Sequence, residues 1–155
     1  MASTPSDKPP VDSILRKVLD AVPFQLTVDG GVHEARRRLR DLPRRPLYPD
    51  LRVEDHRIEG PAGLIPVRVY WPDDEPPTGG HPVTMFFHGG GFAVGDLDTH
   101  DAIAREHAVD GGSVVVSVDY RLAPEHPYPA AVEDAWAATR WVAANADELG
   151  ADAAR

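Results

Sequence analysis

Phe87-His88-Gly89-Gly90-Gly91-Phe92, continued by Ala93-Val94-Gly95-Asp96, is the stretch on which the fold of this chain turns. An apolar run, Val83 to Phe87, leads into it and a helical pattern, Thr99 to Val109, leads away. Three consecutive glycines leave backbone N–H groups uncovered and accept φ > 0 without steric cost. Strand, glycine turn and helix in that order place those donors at the carboxyl edge of a sheet, where α/β proteins bind ligands. The expected use of such a loop is to hold an anion or an oxyanion.

The 155 residues suffice for one domain, and 42% apolar with 26% charged residues reads as a globular chain. Without cysteine there is no disulfide framework, zinc–thiolate site or thiol nucleophile. A net charge of −9 argues against nucleic acid as a partner. No run reaches the ~18 apolar residues of a membrane span. Residues 1–10 are polar, lack the apolar stretch of a signal peptide and read as a loose tail, so a cytoplasmic location is expected. Arg36, Arg37, Arg38, Arg40, Arg44 and Arg45 oppose the acidic trend. They read as a solvated helix face and its exit loop; a patch for an anionic partner is the sharper alternative, but no aromatics interleave.

Apolar residues at Val11, Ile14, Leu15, Val18, Leu19 and Val22 predict a helix ended by Pro23. A second helix is predicted over 31–42, stopped by Pro43 and Pro46. Both precede any strand, so 11–46 reads as a helical cap or arm. Leu51 to Ile58 and Leu64 to Trp71, joined by Glu59-Gly60-Pro61-Ala62-Gly63, predict an antiparallel hairpin with Ile65, Val67, Val69 and Trp71 on one face. Val83–Phe87 and Val114–Val118 read as buried strands. The helix after the glycines has Asp98 or Thr99 as its cap, and a long helix is predicted over 130–149 with Val132, Trp136, Ala137, Trp141, Val142 and Leu149 as its apolar stripe. Alternating strands and helices imply a parallel sheet.

The glycine loop is not a Rossmann fingerprint, because Gly89, Gly91 and Gly95 are spaced one residue too long, and no Gly-Lys-Ser/Thr makes it a phosphate loop. The acidic run Asp96 to Asp101 lacks the glycine and terminal glutamate of a calcium loop and reads as a helix N-terminus. The seven histidines form no metal-binding pair. No metal or cofactor is expected. None of Ser3, Ser6, Ser13, Ser113 and Ser117 lies in Gly-x-Ser-x-Gly. His88 directly before the glycines fits the His-Gly-Gly-Gly loop of esterases and lipases.

Together with Asp119-Tyr120-Arg121-Leu122-Ala123-Pro124-Glu125-His126-Pro127-Tyr128-Pro129-Ala130-Ala131 and Glu133-Asp134, that loop resembles the hormone-sensitive-lipase-like family of α/β-hydrolases. The resemblance covers most of the chain. It implies the N-terminal half of an α/β-hydrolase fold: the first four sheet strands behind a helical cap segment. It also implies a carboxylesterase that acts on small acyl esters by Ser-His-Asp acyl transfer. Gly90 and Gly91 match the two glycines whose N–H groups form part of the oxyanion hole. His88 matches the anchoring histidine, supported by Gly89 and Phe92, and is not the triad base. Tyr120, Arg121 and Glu125 match the second motif, read as a turn pinned by buried polar contacts.

By the same resemblance the nucleophile elbow is expected shortly after Arg155, with the acid and base beyond it. No triad residue is expected in this sequence, and 47–155 reads as a partial core ending before the elbow strand. The family's strand order, 1-2-4-3-5, turns Val83–Phe87 into an edge, which invites aggregation or a partner. The chain alone is therefore expected to be inactive, with a homo-oligomer or a completing chain as partner. The alternative is a non-catalytic truncated paralogue or subunit. Phe24, Leu26 and Phe92 are candidates for the pocket entrance, with core packing an equally good account of them.

Overall fold

A computed structural model describes residues 12–21, 30–45, 47–72 and 75–155. The expected tail, Phe24 and Leu26 lie outside the described residues. In chain order the elements are α1 (Ser13–Ala21), α2 (Gly31–Asp41), β1 (Val53–Gly60), β2 (Gly63–Tyr70), β3 (His81–Phe87), α3 (Asp101–Gly111), β4 (Val114–Val118), α4 (Ala130–Ala144) and β5 (Ala151–Asp152).

One sheet carries all five strands in the order β1-β2-β4-β3-β5. The hairpin forms as its turn residues dictate, with Gly60 opposite Gly63. β4 is the centre. It runs antiparallel to β2, with Val67 opposite Val118, and parallel to β3, with Val83 opposite Val114. Its four valines are fully buried, each worth about 1.5–3 kcal/mol over leaving it in water. Alternation along the strands feeds two cores. Ile65, Val67, Val69, Val114, Val116 and Val118 pack with α4 through Ala138 and Val142. Tyr70 and Val115 face the other way, onto Ala104 and Ala108 of α3.

β3 departs from the reading of a strand covered on both faces. It is largely half-buried, and Phe87 is 40% exposed. The cause is its position in the sheet. β4 covers one flank over Val83–Phe87, whereas β5 covers only His81 and Pro82 on the other. That two-residue β5 is a fifth strand, one more than the four expected, because Ala151 and Asp152 reach the start of β3.

α4 ends five residues earlier than predicted, because Asn145 folds back and caps the Trp141 carbonyl with its own amide, at 2.7 Å from Nδ2. Its buried side is Ala130, Asp134, Ala138 and Val142, while Val132 and Trp136 of the predicted stripe stand out in solvent. α3 starts at Asp101 with His100 at its N-cap. Thr99 is unavailable as the cap because it is engaged with Asp96: each backbone N–H donates to the other's side chain at 2.8 Å. No described helix is long and apolar enough to cross a membrane.

Candidate active site

The loop after β3 is built by fixing its carbonyls. A peptide unit is planar and trans, so holding its C=O sets the direction of the N–H on the other side. Tyr120 Oη donates to the His88 carbonyl at 2.5 Å, which sets the Gly89 N–H. His88 Nδ1 lies 2.9 Å from the Gly89 carbonyl. A carbonyl can only accept, so Nδ1 carries the proton and the bond sets the Gly90 N–H. The Gly90 carbonyl accepts from the Ala93 and Val94 N–H groups, both at 3.1 Å, and this sets the Gly91 N–H. Among the described residues the N–H groups of Gly89, Gly90 and Gly91 themselves meet no acceptor.

His88 is only 3% exposed. Its ring is sandwiched between Tyr120, stacked at 4.4 Å, and His100, stacked at 5.2 Å. Gly95 lets the ring in, because a Cβ there would strike Nδ1. The His88 Nε2 finds no partner among the described residues. Phe92 takes the left-handed conformation at φ 59, held by the Ala123 N–H on its carbonyl at 2.8 Å. Non-glycine residues occupy that region at a cost of about 1–3 kcal/mol when surrounding structure enforces it. Phe92 is 62% exposed and borders an apolar cleft of about 350 Å³ shared with Phe87, Tyr120, Val132 and Ala135. A larger cleft of about 490 Å³ is lined by Arg68, Asp98, Asp101 and Arg105, which already pair with one another. The cleft beside the glycines is the more apolar of the two.

The second motif surrounds this loop from behind, as its sequence suggests, but not all of it is buried. Tyr120 reaches His88, and Arg121 grips Asp134 of α4, itself 1% exposed. Glu125 is a surface residue that pairs with Arg36 at 2.8 Å. The arginine helix also departs from expectation. Arg37 and Arg38 do face solvent and pair with Glu34. Arg36 and Arg40, four residues apart on the other side, turn toward the loop: Arg36 Nε donates to the Ala93 carbonyl at 2.7 Å and Arg40 Nε to Asp96 at 2.8 Å. That spacing was the available signal, obscured by the neighbouring arginines.

Burial shapes the local electrostatics. It pushes the Asp119 carboxyl up and, with the nearby His88, pushes His100 down. Burial would raise Asp96 as well, but hydrogen bonds from Arg40 and Thr99 outweigh it and hold that carboxyl low. The hydrogen bond from Arg36 depresses Glu125 from an ordinary 4.5 to about 2. A carboxylate lowered on folding adds stability above its unfolded value and loses it as pH falls through the folded one. The Glu125 pairing should thus weaken between about pH 4.5 and about 2. Glu125→Gln is expected to flatten that part of the acid denaturation curve relative to wild type, followed by circular dichroism. An acid limb identical in the two proteins would contradict the pairing.

Known proteins are similar to this chain along most of its length. A family model described as the alpha/beta hydrolase fold matches residues 84–155. Esterase LipI of Mycobacterium tuberculosis is 61% identical over 153 residues, covering 99% of this chain and 48% of that protein. Carboxylesterase NlhH of the same organism is 53% identical over 151 residues, covering 96% of this chain and 46% of that protein. The crystal structure of DphMB1 superposes with a TM-score of 0.81 at 64% identity, covering 96% of this chain and 47% of that one. An esterase of Pyrobaculum calidifontis superposes with a TM-score of 0.73 at 44% identity, covering 92% and 46%. The chain thus spans about half the length of the curated relatives it matches. Over that span it belongs to the hormone-sensitive-lipase-like family of α/β-hydrolases.

Proposed function

We propose that this chain supplies the oxyanion-stabilising part of a carboxylic ester hydrolase, with Gly90 and Gly91 as donors and His88, Gly89 and Phe92 as their support. The observation that carries this is the pair of glycine N–H groups, unmatched among the described residues, whose peptide units are each held through the opposite carbonyl. In acyl transfer a serine Oγ adds to the ester carbonyl and the displaced electron pair settles on oxygen. N–H donors already aimed at that oxygen stabilise the charge without reorganising, and losing one typically costs ~10²–10³ in rate. This sequence has no Gly-x-Ser-x-Gly serine. The nucleophile, acid and base belong to residues beyond Arg155 or to another polypeptide, and the substrate is a small acyl ester. The division into a helical arm of 11–46 and a partial core of 47–155 belongs to the same reading, as does a cytoplasmic location.

Hydrolysis of p-nitrophenyl acetate tests it. The chain alone should show only the background rate. Turnover should appear when a polypeptide bearing Gly-x-Ser-x-Gly completes it, and Gly91→Pro, which deletes the N–H, should abolish it. Turnover by this chain alone that survives Gly90→Pro or Gly91→Pro would falsify the assignment.

The flank of β3 favours a second reading. Thr84 to Phe87 pair with β4 alone, so their other backbone groups are open among the described residues. A non-catalytic subunit would use that edge to bind a second copy or a triad-bearing chain. Light scattering on the purified chain decides: a stoichiometric complex supports it, and a monomer with a cooperative melt counts against it.

A further inference from the structure

Arg36 stands out because one side chain joins three segments that are far apart in sequence. Its Nε donates to the Ala93 carbonyl at 2.7 Å, its Nη2 to the Ala123 carbonyl at 2.8 Å, and Nη1 and Nη2 grip Glu125 at 2.8 Å each. The side chain is 17% exposed, so its bonds to the Ala93 and Ala123 carbonyls are partly shielded from water, while the Glu125 pair lies at the surface. α2 itself has no fully buried residue. Val32, Ala35, Leu39 and Leu42 are only half-buried, so polar contacts, those of Arg36 foremost, add to a shallow apolar face in tying the helix to the body.

The Ala93 carbonyl sits inside the turn that matters. Residues 90 to 94 are closed by the Ala93 and Val94 N–H groups on the Gly90 carbonyl. On the far side, the Ala123 N–H holds the Phe92 carbonyl while the Ala123 carbonyl receives Arg36. The guanidinium and the Ala123 peptide together grip two consecutive carbonyls, those of Phe92 and Ala93. A planar fork with several fixed donors can do this; the single ammonium of lysine cannot.

We propose that Arg36 is a positioning residue for the glycine loop: by fixing the Ala93 peptide against Ala123 and Glu125 it holds the turn at 90–94 closed, and so keeps the Gly90 and Gly91 N–H groups aimed. What those N–H groups are aimed at rests on the ester-hydrolase reading. That Arg36 aims them does not, and it is tested without measuring turnover.

The test is amide hydrogen exchange by ¹⁵N NMR on the 155-residue chain. Arg36→Ala should speed exchange at the Ala93 and Val94 amides ~10-fold or more, the local opening expected when a shielded charge-assisted bond is lost. The β4 amides, Val115 to Val118, should keep their wild-type rates, and the Gly91 cross-peak should move. Arg36→Lys should restore part of the protection. Arg38→Ala, which removes only a surface pairing with Glu34 on the same helix, should leave the loop untouched. Unchanged exchange at Ala93 and Val94 in Arg36→Ala overturns the proposal. So does acceleration of the β4 amides by the same factor, since Arg36 would then add only to global stability. If Arg36→Ala does not fold, Arg36→Lys is judged by the same two criteria.

Discussion

Gly90→Ala is expected to break the loop, whereas Gly91→Ala, one residue on, is expected to leave it standing. Both substitutions keep the backbone N–H, so the difference isolates the backbone. Gly90 has φ 131, and a Cβ there would collide with the Val94 carbonyl oxygen and come within 2.7 Å of its carbon and 2.9 Å of Cγ2. Those are the atoms that the 90–94 turn brings together, so the clash cannot be relieved without opening it. Forbidden φ and overpacking each cost about 1–3 kcal/mol, which puts the local penalty at about 2–6 kcal/mol. Gly91 has φ 61, the ordinary left-handed region, and a Cβ there meets nothing within 4 Å. Alanine at that position costs only about 1–2 kcal/mol. The loop opens before the core does, so exchange at the Ala93 and Val94 amides is the sharp readout. On the proposed ester-hydrolase reading, esterase activity of the completed protein should fall far more for Gly90→Ala than for Gly91→Ala. Equal effects at the two positions would refute the account.

Asp134→Ala should destabilise the whole chain by about 3–5 kcal/mol, the usual result of removing one partner of a buried pair. The carboxylate is 1% exposed and accepts the Arg121 backbone N–H at 2.9 Å together with the guanidinium at 2.9–3.1 Å. Removing it leaves the Arg121 backbone donor unmatched and the guanidinium with only the Ala130 carbonyl at 3.2 Å and Glu133 at 3.5 Å. At about 2–4 °C per kcal/mol for a chain of this size, the melting temperature should drop by roughly 10 °C. Asp134→Asn is no remedy. Its oxygen can still take the backbone N–H, but its amide faces a guanidinium that also only donates. Thermal unfolding of the two variants checks this, and a loss below about 1 kcal/mol in Asp134→Ala would mean that Arg121 is solvated instead.

The sheet was legible because its information is local. Glycines at the hairpin turn, alternation along Leu64 to Trp71 and a valine-rich strand each dictate one outcome, and the strands appear where those patterns lie. The loop was legible because three glycines behind a histidine leave few alternatives. The errors arose where a residue's partner is remote in sequence. Arg36 and Arg40 look like their solvated neighbours until Ala93 and Asp96 are brought up beside them. Val132 and Trp136 fit a helical stripe, yet the side that α4 buries is set by Asp134, a carboxylate that hydropathy places outside. α3 begins two residues late because Asp96 claims the Thr99 that would have capped it.

The order β1-β2-β4-β3 has a consequence during synthesis. β3 leaves the ribosome before β4, its only extended partner among the described strands, and β4 is complete roughly 30 residues later. At about 5–20 residues per second, Val83 to Phe87 travel for roughly 2–6 s with both flanks bare. The hairpin of β1 and β2 can form at once, but it cannot receive β3, because β4 must come between them. Translation speed and chaperone supply over residues 88–118 should therefore govern how much of this protein reaches its fold, independently of how stable the finished sheet is.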